Sequence, residues 1–156
     1  MSVGHEDQGE ELMRLVIMQG LPGAGKSSVV ARDYQGLQVV CLDDIRRALG
    51  HVFNPATETL VLAHAEIAVR AHLIGGRDVV VDDTHTRAEN VLRWLHMGRE
   101  HGAEVWLHRV ECNAEECIRR REGSAVRRED IERMAGNLGR WVITRESFDQ
   151  VITEEG

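Results

Sequence analysis

At 156 residues, 42% hydrophobic and 29% charged, the chain has the length and composition of one globular domain with a single good core. No apolar run approaches the ~20 residues of a membrane span, and the acidic, polar start MSVGHEDQGEE is not that of a signal peptide. The net charge of −7 and the 4% aromatic content argue against a broad nucleic-acid-coating surface or an extended base-stacking platform; a polynucleotide end entering a local basic cleft stays compatible with both. Cys41, Cys112 and Cys117 are odd in number and lack metal-ligand spacing, which suits reduced thiols in a cytoplasmic protein. Residues 1–12 read as a mobile tail ahead of one domain, 13–156.

In chain order, the apolar run Leu15-Val16-Ile17-Met18 predicts a buried strand. It leads into GLPGAGKS, Gly20 to Ser27, which fits the phosphate-binding P-loop pattern G-x-x-x-x-G-K-[ST] at every fixed position. A helix from Lys26 to about Arg32 is expected next. Glycines let backbone N–H groups close around phosphate oxygens, and a helix N-terminus adds a favourable dipole. Gly20, Leu21, Pro22, Gly23, Ala24, Gly25, Lys26, Ser27 and Ser28 are therefore the candidate nucleotide-binding residues. Lys26 would reach the β- and γ-phosphates and the Ser27 hydroxyl would hold Mg²⁺. Lys26 is also the only lysine in the chain, against eighteen arginines. Lysine stands where a flexible point charge suits phosphate.

Leu37 to Leu42 predicts a second strand, ending in Asp43-Asp44-Ile45-Arg46-Arg47. Acids at the carboxyl end of a strand in an open α/β sheet occupy a usual active-site position. The alternative is structural, with Asp43 capping a short helix and Asp44 favouring its first turn. Asn54-Pro55 opens a long helix to about Ile74, stopped by Gly75-Gly76, whose Leu60, Val61, Leu62, Ala65, Ile67, Ala68, Ala71 and Ile74 spread apolar surface widely. Asp78 to Asp83 is an apolar strand ending in acid, where a carboxylate can orient Mg²⁺ or its waters. A helix follows from Arg87 to His101, with Val91, Leu92 and Leu95 facing the sheet.

Val105 to Val110 is the fourth strand, and Asn113 caps a helix from Ala114 that ends in Arg119-Arg120-Arg121-Glu122-Gly123. A last helix over Glu129 to Leu138 buries Ile131, Met134, Ala135 and Leu138, and Phe148 to Ile152 forms an edge strand. The alternation of strand and helix predicts an α/β fold: a three-layer α/β/α P-loop domain with a mostly parallel, five-stranded sheet. Arginines at a helix end favour its dipole. Phosphoryl transfer also needs positive groups over the moving phosphate, and residues 119–128 are placed to deliver them as a lid.

GLPGAGKS, LDDIR after the second strand, VVVDDTHT, HGAEVWLHRVECNAEECIRRREG and the closing ESFDQVI together resemble the small P-loop kinases of the polynucleotide 5′-hydroxyl kinase type. The resemblance covers Leu12 to Ile152. It implies transfer of the γ-phosphate of ATP, or another NTP, with Mg²⁺, to the 5′-OH end of DNA or RNA. Asp43 would be the general base, and Arg46 would bind the acceptor's phosphate. Asp83 and Thr84 would shape the acceptor site, and Arg120 or Arg121 would be the catalytic lid contact, with Arg119 and Arg127 as alternatives. The lid is shorter than the family's, Glu122-Gly123-Ser124 standing where it carries a second arginine, and His85 replaces its usual asparagine. A P-loop kinase for a nucleoside, sugar or antibiotic, and a non-catalytic nucleotide-binding or toxin-type module, are the other readings.

Overall fold

The computed structural model describes residues 12–50 and 53–156. The expected tail falls almost wholly outside them. The strands are β1 (Arg14–Gln19), β2 (Gln38–Cys41), β3 (Val79–Asp82), β4 (Glu104–Glu111) and β5 (Gln150–Glu155). The helices are α1 (Lys26–Asp33), α2 (Leu42–Ala48), α3 (Pro55–Ile74), α4 (Ala88–Glu100), α5 (Ala114–Arg120) and α6 (Arg128–Gly139). The sheet order is β2-β3-β1-β4-β5, and every pairing is parallel.

A central parallel strand needs apolar residues on both faces, and β1 supplies them. Leu15 and Ile17 join a core with Val79, Val81, Val105 and Leu107 under α3 and α4. Val16 and Met18 point the other way, into a core with Val80, Val110, Val29, Cys117 and Ile131 under α1, α5 and α6. The two-residue period of the strands thus divides the core into two layers.

Several expectations shift by a few residues. The run Leu37 to Leu42 is a strand only to Cys41; Leu42 already opens α2, with Asp43 and Asp44 in its first turn and Cys41, not Asp43, at the N-cap. On α3 the buried stripe is Val61, Ala65, Val69 and Leu73, one residue in every turn, whereas Leu60, Ile67 and Ile74 are exposed. On α4 Leu92 is partly exposed, and the fully buried anchor is Trp94. On α6 only Ile131 is fully buried, with Met134, Ala135 and Leu138 half-covered. The edge strand begins at Gln150, after buried Phe148, and runs to Glu155.

Among the described residues no helix is long and apolar enough to cross a membrane.

Candidate active site

Register places the chemistry. Met18 in β1 and Cys41 in β2 both pair with Asp82 in β3, so these three strands finish level with one another. The P-loop, the start of α2 and the Asp83-Thr84 turn therefore leave the sheet at one edge, its carboxyl end, where ligands of open α/β sheets bind.

The P-loop is held at both ends. Gly20 N–H donates to the Thr84 carbonyl at 3.0 Å, and a Cβ on Gly20 would stand 2.6 Å from the Val110 carbonyl oxygen. Gly23 (φ 86°) and Gly25 (φ 104°) take left-handed conformations that L side chains resist. Gly25 is the N-cap of α1, and Ser27 and Ser28 are exposed on its first turn. Lys26 Nζ donates to the carbonyls of Gly20 and Leu21, each at 2.9 Å, which keeps its ammonium group over the loop. Burial lowers the Lys26 pKa, Asp82, Asp83 and Asp43 oppose that shift, and Arg121 reinforces it. The P-loop lysine and the acids after β2 and β3 thus share one field. Asp82 is buried, and burial raises its pKa against the pull of Lys26.

The end of α5 closes over the loop. Arg120 Nη1 donates to the Gly23 carbonyl at 3.0 Å while its Nε pairs with Glu116 at 3.0 Å. Arg121 Nε is buried with no hydrogen-bond partner among the described residues, and its Cγ would lie 3.1 Å from a Cβ on Gly23. An unsatisfied guanidinium donor beside a glycine-lined loop fits a site for phosphate oxygens. Arg119 instead turns outward to Glu116, Arg127 stands at the start of α6, and Arg128 pairs with Glu115 and Glu132. Of the four lid candidates the fold brings Arg120 and Arg121 to the P-loop.

At the other end of the cleft Arg46 is the hub. Its side chain is 10% exposed. Nη1 donates to Asp43 Oδ1 at 2.6 Å and lies 3.6 Å from Asp83 Oδ1. Nε and Nη2 grip Glu58 of α3, and Phe53 covers the guanidinium at 5.7 Å. Burial works against the charge, but the hydrogen bond to Glu58 and the fields of Asp83 and Glu58 outweigh it and raise the Arg46 pKa. Asp43 is mostly exposed at 63% and open to an incoming hydroxyl. Asp44 turns away, pairing with Arg47 at the surface.

His85 is not a surface group of the acceptor site. It is buried, with φ 48°, a left-handed backbone that asparagine and histidine enter more readily than most residues. Nδ1 bonds the Met18 carbonyl, Nε2 accepts from Trp94 Nε1 at 3.0 Å, and the His85 carbonyl accepts from Gln19 Nε2 at 2.9 Å. Accepting at Nε2 and donating at Nδ1 fixes the neutral imidazole, and burial lowers its pKa accordingly. Arg109 Nε completes the brace on Gln19 Oε1 at 2.7 Å.

Sequence reasoning missed Glu58 and the Gln19–His85–Trp94 brace. Glu58 carries no motif; the left-handed preference shared by asparagine and histidine was the one signal available for His85. Among the described residues one further group, Asp33, His108 and Glu154, has metal-ligand spacing. It lies at the opposite end of α1 from the loop, and Arg32 already bridges its two carboxylates.

A family model described as an AAA domain matches residues 15–141. No protein with a curated description matches the chain. Among solved structures, the chain is similar to one in the Pnkp1/Rnl/Hen1 RNA repair complex, at 23% identity and a TM-score of 0.75 over 92% of this chain and 48% of that one. It therefore spans about half the length of that relative. It is also similar to a gluconokinase from Sinorhizobium meliloti 1021 (13% identity, TM-score 0.62, 92% and 83% covered). A third similarity is to the Mycobacterium tuberculosis APS kinase in complex with AMPPNP and APS (19%, 0.60, 91% and 88%). These likenesses agree with the P-loop, its flanking strand and helix, and the parallel five-stranded sheet: the chain belongs to the AAA domain family and has the P-loop kinase fold.

Proposed function

We propose that this domain transfers the γ-phosphate of ATP, or another NTP, to the 5′-hydroxyl end of a DNA or RNA strand in the cytoplasm. The observation that carries the reading is the register that ends β1, β2 and β3 level, which sets the P-loop and an exposed, arginine-paired carboxylate at the same edge of the sheet. The RNA-repair assembly of the structural neighbour supports a nucleic-acid end as acceptor.

In this reading the glycine-lined loop, Lys26 and the free Arg121 Nε hold the phosphates, and Arg120 keeps α5 against Gly23. Ser27 would hold Mg²⁺, which supplies charge neutralisation on the phosphates when bound, with Asp82 at the end of β3 as a candidate carboxylate for its water shell. The Asp43 carboxylate takes the proton of the acceptor hydroxyl as its oxygen bonds the γ-phosphorus and the bond to the ADP oxygen breaks. Arg46 Nη1, bonded to Asp43 Oδ1, keeps that carboxylate aimed.

A second reading, a small hydroxylic acceptor such as a sugar, nucleoside or antibiotic, is favoured by one feature. Arg46 already faces three carboxylates, which leaves little positive charge for an acceptor phosphate.

The test offers γ-labelled ATP and Mg²⁺ with a 5′-hydroxyl oligonucleotide and with its 5′-phosphorylated twin. Label on the first alone is the expected result; label on neither, with ATP still bound, transfers the reading to a small acceptor. Oligonucleotide affinity should also fall steeply with salt. A flat affinity from low to moderate salt points to an uncharged acceptor.

A further inference from the structure

Glu58 sits in the first turn of α3, just after the Asn54 cap and Pro55. Its side chain is 20% exposed, and it takes the Nε–Nη2 edge of Arg46 with both carboxylate oxygens, Nε to Oε2 at 3.2 Å and Nη2 to Oε1. A planar guanidinium held along one edge has its other edge fixed in direction. That other edge is Nη1, which meets Asp43 at 2.6 Å and faces Asp83 at 3.6 Å.

The charge balance of the cluster is the second observation. Asp43 and Asp83 alone more than neutralise Arg46. Adding Glu58, partly buried, makes three carboxylates to one cation, an arrangement that costs desolvation and mutual repulsion. The grip of Glu58 offsets part of the cost of burying the Arg46 charge and, being made at two points, also sets the direction of the guanidinium. Phe53 over the guanidinium, 5.7 Å from ring to Cζ, further limits its rotation.

We propose that Glu58 is a positioning residue, which through Arg46 aims the Asp43 carboxylate at the acceptor hydroxyl. The role rests on the reading of Asp43 as general base. It reaches the reaction from α3, a helix that carries none of the phosphate-binding residues, and acts on the acceptor half of the cleft only.

The test is a double-mutant cycle of Glu58→Gln, Arg46→Lys and the two combined, with kcat and KM measured for ATP and for whichever acceptor the wild type phosphorylates. Glu58→Gln should lower kcat about tenfold or more, the scale of one charged hydrogen bond, with KM for ATP unchanged. The double variant should be no slower than Arg46→Lys alone, because both changes break one link, and Glu58→Asp should recover part of the rate. Effects that multiply in the double variant, or a wild-type kcat in Glu58→Gln, overturn the proposal. A readout free of activity runs beside it: the ¹⁵N side-chain spectrum, where Arg46 Nε–H should give a slowly exchanging signal that Glu58→Gln loses. If the wild type phosphorylates no acceptor, the proposed function fails, and the spectrum alone decides the grip. A signal unchanged in Glu58→Gln then overturns it.

Discussion

At the donor end of the cleft, the groups that would face phosphate come mainly from one continuous stretch, Gly20 to Ser28, most of them backbone, with Arg121 joining from the end of α5. At the acceptor end they come from three separate elements: Asp43 and Arg46 from α2, Glu58 from α3, and Asp83 from the turn after β3. Backbone geometry is set by a few glycines and by the strand and helix on either side, so it forms with the fold. The acceptor cluster forms only once α2, α3 and β3 have docked, and its pieces are held by ion pairs. The donor end can thus serve many acceptors unchanged, and the acceptor end is where specificity is adjusted.

That contrast breaks most visibly at Lys26. In the proposed reaction Lys26 meets the transferring phosphate, so turnover in Lys26→Ala should fall on the order of 10³-fold with every acceptor tried. Circular dichroism and thermal melting should stay near wild type, because the lysine's two hydrogen bonds are to loop carbonyls. A variant that still turns over at a tenth of the wild-type rate would remove Lys26 from the reaction.

Asp43→Asn should cost about 10²-fold in kcat, within the usual range of a general base, while ATP affinity stays as it was. The dissociation is what sharpens the comparison: donor-end changes alter nucleotide binding and chemistry together, acceptor-end changes alter chemistry alone. Equal loss of ATP affinity in Asp43→Asn would join the two ends into one site.

The same contrast explains what the sequence disclosed. GLPGAGKS could be read because each fixed position answers a local demand, Gly23 and Gly25 for left-handed backbone, Gly20 for the 2.6 Å approach to Val110. The continuous apolar run Leu15-Val16-Ile17-Met18 disclosed β1 as a buried strand, and the strand–helix alternation disclosed helices on both faces; the two core layers appear only in the structure. Leu42 was misassigned to a strand because the apolar run continues past Cys41, and only the start of α2 ends it. β5 was drawn short because its outer residues, Glu154 and Glu155, are charged, and backbone pairing with Val110 and Glu111, not apolarity, makes them strand. Glu58 gave no signal because its partner lies on another helix. The role of Trp94 depends on His85, which the sequence marks only as an odd residue in a motif.

Gly23→Ala probes the loop where α5 meets it. The added Cβ would lie 3.1 Å from Arg121 Cγ and 3.2 Å from the Cys117 carbonyl, at φ 86°. The left-handed backbone alone costs an alanine about 1–2 kcal/mol, so a loss of that size in chemical denaturation is expected, with weaker ATP binding. Unchanged stability together with unchanged ATP affinity would mean that α5 does not rest on the loop in solution.

The smallest effect is a pH dependence that belongs to the brace behind the cleft. His85 is neutral and buried, and its pKa is lowered from the ordinary 6.5. The unfolded chain therefore binds a proton at this residue that the folded chain refuses. Below pH 6.5 the unfolded state holds more protons, and stability falls as pH falls, by at most about 1.4 kcal/mol per pH unit from this one group. Asp82 has the opposite sign, since its raised pKa favours the folded state in acid from 3.8 upward, and it is present in both the wild type and the His85 variant, so it cancels in their comparison. His85→Asn keeps a residue suited to φ 48° and deprives Trp94 Nε1 of its acceptor, a cost of about 1–3 kcal/mol. Urea melts at pH 7.5 and pH 6 should show the wild type losing more stability on acidification than the variant, so that the variant's deficit shrinks at pH 6. Equal losses in the two proteins would mean that His85 carries a proton in the fold, and that its hydrogen bonds to Met18 and Trp94 are not both made.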